Sequence, residues 1–422
     1  NFKKIYKEIS MKIVGLITEY NPFHNGHLYH IQEALRVTGS DAAVAIMSGN
    51  YVQRGAPALM PKHLRARMAL EAGVAAVIEL PVWCACGSAE YFAAGAVSIL
   101  DRLGCVDMIC FGSECGDVSL LEKAARITAQ EPEAYRGLLK EGLRDGLSFP
   151  RARQKALSLF LGDDRAGEVL AEPNNILGVE YIKAILQQKS SLGFCTIQRR
   201  ESGYHDMELS DTYSSASAIR HHLRQADQYG IPAQLEGQMP SPAICTMKEA
   251  YHARYPVYAN DFSLLLKYHL LGETKETLPR YADVTQDLAN RIIRHRNEFF
   301  SFEQFCGLLK TKELTHSRIS RALLHILLNI TEEDMTSFKK EGGCGYARLL
   351  GFRKDASPLL GLAKKGSSIP LITKLPRTGT KEGTARKMLD CDILSADLYE
   401  SVITEKYRRD FIPEYRQQVV II

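Results

Sequence analysis

The sequence predicts an α/β protein, a Rossmann-like doubly wound parallel sheet followed by a mostly α-helical C-terminal domain. Three observations carry this. From Met11 to about Gly112, short β-rich runs alternate with longer amphipathic stretches, the pattern of parallel strands joined by crossover helices. After about residue 243 the apolar residues recur with helical spacing instead. A length of 422 residues also exceeds what one hydrophobic core ordinarily serves, so two or three domains are expected.

Strands are expected at 12–17, 42–47, 75–79 and 108–111. Amphipathic segments at 27–37, 63–72 and 89–103 lie between them, each long enough for a crossover. A helical segment then spans 120–170. The Pro173-Asn174-Asn175 turn follows, and a helix at 178–187 leads to a strand at 194–197 that returns to the same sheet. The α/β domain is expected over 11–228, after a leader of residues 1–10, because Met11-Lys12 opens directly into the first strand. Past a loop at 229–242, apolar spacing at 262–271, 284–293, 302–308 and 319–328 builds the helical domain, 243–422, with a short extended piece at 369–372.

Composition excludes several classes. With 45% hydrophobic and 24% charged residues the chain buries ordinary cores, so it is neither disordered nor fibrous. The ten cysteines are scattered singly, apart from Cys84 and Cys86, and lack the paired spacing of zinc or thiol redox sites. Reduced thiols and a cytoplasmic setting are expected. No apolar run approaches the roughly 18 residues of a membrane span. The net charge of +4 hides an asymmetry. Within 343–388, Arg348, Arg353, Lys354, Lys364, Lys365, Lys374, Arg377, Lys381, Arg386 and Lys387 face only Asp355 and Glu382, a local +8 that leaves the rest of the chain at −4. A solvated face usually interleaves both signs, so this stretch points to a polyanion, with Arg318 and Arg321 on a preceding helix extending the surface.

Chemistry concentrates where the first strand ends. Thr18-Glu19-Tyr20-Asn21-Pro22-Phe23-His24-Asn25-Gly26-His27 sets two histidines around one glycine at a helix start, where free N–H groups and the positive dipole end receive phosphates. Imidazoles three apart can hydrogen-bond phosphoryl oxygens as charge develops at an α-phosphate. The carboxyl end of the first strand is also where such sheets bind ligands. Later, Ser214-Ser215-Ala216-Ser217-Ala218-Ile219-Arg220 leads hydroxyls into a helix with an arginine one turn in, suited to distal phosphates through Ser215, Ser217 and Arg220. Asn50, Gln53 and Arg54, in the polar loop after the second strand, are expected to face the same crevice. Lys62, Arg65 and Arg67 read as a solvated helix face, Cys84 and Cys86 beside Trp83 as core, and Phe299, Phe300, Phe302 and Phe305 as core rather than a base-stacking surface.

The pairing of His24-Asn25-Gly26-His27 with a late Ser-x-Ser-x-Ile-Arg helix start resembles the H-x-G-H nucleotidyltransferase superfamily, whose members attack the α-phosphate of ATP and release pyrophosphate. A narrower set resembles the bacterial tRNA(Met) cytidine acetate ligase family. It comprises residues 17–27, Met47-Ser48-Gly49-Asn50-Tyr51-Val52-Gln53-Arg54-Gly55, Phe111-Gly112-Ser113-Glu114, Glu172-Pro173-Asn174-Asn175-Ile176-Leu177-Gly178, Tyr204-His205-Asp206, Ser317-Arg318-Ile319-Ser320-Arg321 and Arg348-Leu349-Leu350-Gly351-Phe352.

The resemblance implies a nucleotidyltransferase-type fold and an enzyme that forms acetyl-adenylate from acetate and ATP. The acetyl group then passes to the exocyclic amine of the wobble cytidine in elongator methionine tRNA. Carried over by motif, ATP is held by Ile17, Thr18, Glu19, Tyr20, Asn21, Pro22, Phe23, His24, Asn25, Gly26, His27, Leu28, Tyr29 and His30, with Gly112, Asn174 and Arg199; Asn175 and Arg200 are adjacent alternatives for the last two. A carboxylate substrate is its own nucleophile, so charge neutralisation by His24, His27 and Arg220 carries the catalysis, with Mg2+ expected on the phosphates and no metal ligands or tightly bound cofactor in the chain. Arg318, Arg321, Lys364, Lys365, Lys374, Arg377, Lys381, Arg386 and Lys387 are the expected tRNA contacts, and neither a membrane nor an obligate protein partner is implied. Two alternatives stay open, an adenylyltransferase acting on a phosphorylated cofactor precursor and a non-catalytic RNA-binding protein. A class I aminoacyl-tRNA synthetase lacks support, since Lys387-Met388 runs into Leu389-Asp390.

Overall fold

A computed structural model describes residues 11–199, 214–226, 230–375 and 383–422, and the structural statements below concern these residues. The strands in chain order are β1 (Ile13–Thr18), β2 (Ala42–Ser48), β3 (Tyr51–Val52), β4 (Ala56–Pro57), β5 (Ala76–Leu80), β6 (Met108–Ser113), β7 (Gly193–Gln198), β8 (Ala347–Phe352), β9 (Leu371–Ile372) and β10 (Val420–Ile421). The main sheet runs β10-β8-β5-β2-β1-β6-β7, β9 lies beside β8, and β3 pairs with β4 as a hairpin. From β5 to β7 every neighbour is parallel. The winding direction reverses between β1 and β6, which opens a crevice at the carboxyl ends of those two strands.

The strands are apolar on both faces because helices cover both. Ile13, Val44, Ile46 and Ile78 enter one core cluster, whereas Val14, Leu16, Ala43, Ala45, Met47 and Val77 enter the other, the alternation that a two-residue period dictates. Helices Asn25–Thr38, Lys62–Glu71 and Ala89–Arg102 supply the crossovers where amphipathic patterns are expected. The helix after the Pro-Asn-Asn turn begins earlier than expected, at Pro173. Proline suits the first helical position, and the Glu114 carboxylate accepts the free N–H groups of Asn174 (3.2 Å) and Asn175 (2.8 Å). Gly178 then faces Phe111, where an added Cβ would come within 2.5 Å of the ring.

The second half differs from a purely helical reading. β8 returns to the sheet antiparallel to β5, and β9 and β10 follow it. It pairs the outer edge that β5 would otherwise leave open. Arg348 at the second position of β8 breaks the apolar pattern by which a buried strand is recognised, and four buried charges explain its place there. Lys62 Nζ lies 2.7 Å from Glu79 and 2.6 Å from Glu414, while Arg348 is ion-paired with the same two carboxylates. Burial pushes the Glu414 carboxyl up, but Lys62 and Arg348 outweigh it and hold the group down at about 2.

Two local expectations are corrected. Lys62 and Arg65 are not a solvated face: their relative exposures are 1% and 0%. Only Arg67 reaches solvent, half-buried and paired with Glu71 and Glu249. Among the four phenylalanines, Phe299, Phe302 and Phe305 are core but Phe300 stands 75% exposed. Trp83, Cys84 and Cys86 are buried, as expected.

The ion quartet predicts a large, local stability effect. Lys62→Met would leave two buried carboxylates facing one cation, and should lower unfolding free energy by about 3–5 kcal/mol. Urea denaturation checks this, and a loss below about 1 kcal/mol at unchanged m-value would show that the quartet is not what holds β8 to β5.

Candidate active site

The crevice is walled by the loop from β1 into helix Asn25–Thr38, the loop after β2, the start of helix Ala89–Arg102, the end of β6, the start of helix Pro173–Gln187, the end of β7 and helix Ala216–Ala226. His24 is the N-cap of the first helix, and its Nδ1 accepts the Gly26 N–H at 3.1 Å. His27 Nδ1 in turn accepts the His24 N–H at 3.2 Å. The two rings lie 3.7 Å apart between centroids. An Nδ1 that accepts a backbone N–H carries no proton, so the neutral tautomer of each ring bears its proton on Nε2. Burial, with the Arg199 and Arg220 cations adding to it, pushes the His24 imidazole down to about 3. Burial and the neighbouring His24 lower His27, and burial with Arg199 lowers His30 to about 4. The pair is therefore neutral at pH 7 and offers hydrogen-bond donors, while the formal positive charge comes from the arginines.

Two adjoining cavities of about 390 and 550 Å³ share Glu19, Asn21, His27, Arg54, Asn174, Arg199 and Arg220 as walls, so they form one crevice. Of the expected nucleotide segment, Ile17, Thr18, Tyr20, Gly26, Tyr29 and His30 also line it, and His24, Ser215 and Ser217 line its second lobe. Pro22, Phe23, Asn25 and Leu28 line neither lobe. Phe23 and Leu28 pack into the core, and Asn25 donates to the Gly237 carbonyl at 2.9 Å. Gly112 lines the first lobe, where an added Cβ would press on Arg199 Cγ at 3.2 Å.

The Asn174 side chain donates to Glu114 at 2.6 Å and accepts from Arg199 at 3.2 Å, inside the crevice. Asn175 is turned away and accepts the Cys115 N–H at 3.1 Å. Arg200 and Tyr204-His205-Asp206 lie outside the described residues. Arg220 donates to the Asn21 carbonyl at 2.7 Å and to Ser217 Oγ at 3.1 Å, which ties the late helix to the first loop. Gln53 and Arg54 reach the crevice as expected, the Gln53 N–H donating to Glu19 at 2.8 Å; Asn50 instead accepts the Lys62 N–H at 2.8 Å.

Arg65 is the residue that sequence reasoning missed. Its buried guanidinium donates to the carbonyls of Met60 (3.0 Å), Glu19 (2.5 Å), Ser48 (3.1 Å) and Gly49, so it fastens the loops after β1 and β2 to each other. Burial lowers it to about 10, still cationic at neutral pH. The available signal was Ala66 and Ala69, apolar residues on the helix face it shares with Lys62.

The basic residues of 343–388 do not form one surface. Arg348 is buried in its ion quartet, Arg353 pairs with Asp355, and Arg386 pairs with Asp390. Lys364 and Lys365 end helix Ser357–Gly366, where Gly366 abuts Gly104 in the turn entering β6, at the opposite end of that strand from the crevice. Lys374 and Lys387 are exposed, and Arg377 and Lys381 lie outside the described residues. On the crevice side, Arg321 pairs with Asp283 at 3.0 Å, and Ser320 Oγ donates to the Gly55 carbonyl at 2.7 Å, beside Arg54. Arg318 lines a third cavity of about 350 Å³ with Ser88, Asp283 and His325.

A pH dependence follows from the neutral imidazoles. Unfolded histidines take up protons near pH 6.5 whereas His24 and His30 resist until about 3 and 4, so stability is full above pH 6.5 and falls as pH drops below it. His24→Gln should flatten the denaturation free energy between about pH 6.5 and 4, and a profile parallel to the unsubstituted protein would contradict the assignment.

The HIGH Nucleotidyl Transferase family profile matches residues 11–412. A tRNA(Met) cytidine acetate ligase of Acetivibrio thermocellus is 39% identical over 415 residues, covering 98% of this chain and 100% of the relative. One of Caldanaerobacter subterraneus subsp. tengcongensis is 40% identical, covering 92% and 95%. Crystal structures of Thermotoga maritima TmcAL superpose with TM-scores of 0.91 (apo; 98% of this chain, 100% of that one) and 0.87 (bound with alpha-thio ATP; 97% and 99%), each at 30% identity. With the H-x-G-H pair at the reversal point of a parallel sheet and similarity along nearly its whole length, the chain belongs to the tRNA(Met) cytidine acetate ligase family of HIGH nucleotidyl transferases.

Proposed function

We propose that this protein is a cytoplasmic ATP-dependent ligase that acetylates the wobble cytidine of elongator methionine tRNA through acetyl-adenylate. The observation that carries the reading is the pair of neutral imidazoles at the helix start, His24 buried and His27 half-buried, flanked by Arg199 and Arg220 in one crevice. An acetate oxygen attacks the α-phosphorus, the bond to the bridging oxygen breaks, and pyrophosphate leaves. The N4 amine of cytidine then attacks the acetyl carbonyl, loses a proton, and AMP departs with the bonding electrons. Neither step asks the chain for a nucleophile. His24 and His27 donate from Nε2 to α-phosphoryl oxygens, gaining strength as charge develops there. Arg220, with Ser215 and Ser217, holds the distal phosphates.

Among the described residues no group of three or more His, Cys, Asp or Glu side chains could hold a metal ion. Glu114 spends both oxygens on the helix start beside it. Mg2+ is accordingly assigned to the phosphates of ATP rather than to the chain, and no step is derived through it.

For RNA, we place phosphate contact on the crevice side, at Arg318 and Arg321, ahead of Lys364 and Lys365. Among the described residues no helix is long and apolar enough to cross a membrane.

Three outcomes are expected. His27→Ala should slow acetate-dependent ATP–pyrophosphate exchange by about 10²–10³ with circular dichroism unchanged; exchange that responds to a phosphorylated cofactor precursor instead of acetate would favour the adenylyltransferase reading. Arg220→Ala should weaken ATP more than AMP in calorimetric titrations, and equal losses would move Arg220 away from the distal phosphates. Arg318→Glu should weaken methionine tRNA and flatten the log–log salt dependence by about 0.7–0.9. The paired change Lys364→Glu and Lys365→Glu should leave that slope as it was; the reverse pattern would put RNA on the strand-entry edge.

A further inference from the structure

Helix Ser263–Leu271 turns an uncovered stripe outward. Leu264, Tyr268 and Leu271 lie on one face by their spacing of four and three residues, with exposures of 79%, 77% and 60%. Phe300, 75% exposed, continues the stripe across a chain crossing. The crossing is fixed by two hydrogen bonds, Lys267 Nζ to the Phe299 carbonyl at 2.9 Å and the Phe302 N–H to Ser263 Oγ at 3.0 Å, so Phe300 lies alongside Leu264 and Lys267. Large aromatic side chains left in water on a surface mark a binding face.

The place of this face in the fold indicates which partner suits it. Two links run from this face to the crevice. Glu303, three residues past Phe300, pairs with Arg224, one helical turn (about 6 Å) beyond Arg220. Phe262, the residue before the helix, meets Tyr51 of β3 at a ring separation of 5.8 Å. The surroundings favour an anion. Lys267 places an ammonium beside the stripe, Arg296 closes the helix end on the Leu270 carbonyl at 3.0 Å, and of the nearby carboxylates Glu273 and Glu303 are ion-paired with Arg280 and Arg224 while Glu298 is hydrogen-bonded to the His295 ring. Two aromatic rings beside a cation form the surface on which unpaired bases stack.

We propose that Tyr268 and Phe300 form a stacking platform for unpaired bases of the RNA substrate, next to the nucleotide that enters the crevice. The proposal rests on the reading of the protein as a tRNA-modifying ligase. Its contribution is contact with base faces rather than phosphates, so it adds affinity without adding salt dependence.

Gel-shift titration of full-length protein with elongator methionine tRNA tests it. Phe300→Ala and Tyr268→Ala should each weaken tRNA about 5- to 100-fold, with the salt slope, thermal unfolding and acetate-dependent ATP–pyrophosphate exchange unchanged. Phe300→Trp and Tyr268→Phe should restore affinity, and Phe300→Leu should not. Retention of affinity in the alanine variants, or full rescue by leucine, overturns the platform. A concentration-dependent dimer in analytical ultracentrifugation that these variants abolish while tRNA affinity persists also overturns it, in favour of a second copy of the chain. Failure of the unsubstituted protein to bind this tRNA overturns the ligase reading and the platform together.

Discussion

The buried quartet of Lys62, Arg348, Glu79 and Glu414 is the constraint on which the rest of the molecule depends. Two cations and two carboxylates from four separate stretches of chain meet buried from solvent, and each is tolerable there only because the others are present. Glu79 is the penultimate residue of β5, Lys62 opens the helix before it, Arg348 belongs to the antiparallel β8, and Glu414 lies near the C-terminus. The set therefore makes the last quarter of the chain part of the nucleotide-type sheet. Asp392, on the long helix Thr384–Tyr407, extends it: its carboxylate accepts the Val82 N–H at 2.7 Å, and burial with the adjacent Glu79 raises it to about 7.

Rigidity at that side of the sheet reaches the crevice through Arg65. One turn after Lys62, it occupies a buried position with no acidic side chain bonded to its guanidinium, and spends its donors on backbone carbonyls from both loops of the first two strands. A lysine there could not hold four carbonyls in a fork. The loop that carries Glu19 and Asn21 is thus referred to the same helix as the quartet, and Arg220 closes it from the other side through the Asn21 carbonyl. Preorganisation of this kind matters most where the reaction brings its own nucleophile and the enzyme's task is placement.

The imidazoles add a distinction between charge and hydrogen bonding. A pair of cationic histidines at 3.7 Å would repel each other and distort the cap that orients them. Neutral rings avoid this, and each still presents one Nε2–H. Positive charge is left to guanidiniums, which keep it at any working pH. In the adenylation proposed above, such rings would not over-bind ground-state ATP, because their hydrogen bonds strengthen as negative charge grows in the transition state.

Local pattern was sufficient for the five parallel strands, their crossovers and the place of His24-Asn25-Gly26-His27, because a strand buried on both faces must be apolar throughout and a helix start must supply its own cap. The motif's position at the carboxyl end of the first strand was legible too, whereas the reversal between β1 and β6 is set by the strand pairing. Arg220 was legible one turn into a serine-rich helix start, whereas Asn174 and Arg199 came only through the resemblance to the family. What only the tertiary structure decided is which side chains meet partners far along the chain. Lys62, Arg65 and Arg348 look like surface cations until Glu79, Glu414 and four carbonyls surround them. Phe300 looks like its buried neighbours until the crossing over helix Ser263–Leu271 leaves it outside. Burial and charge pairing of this kind are set by contacts beyond the local repeat, some of them hundreds of residues apart, which neither composition nor periodicity encodes.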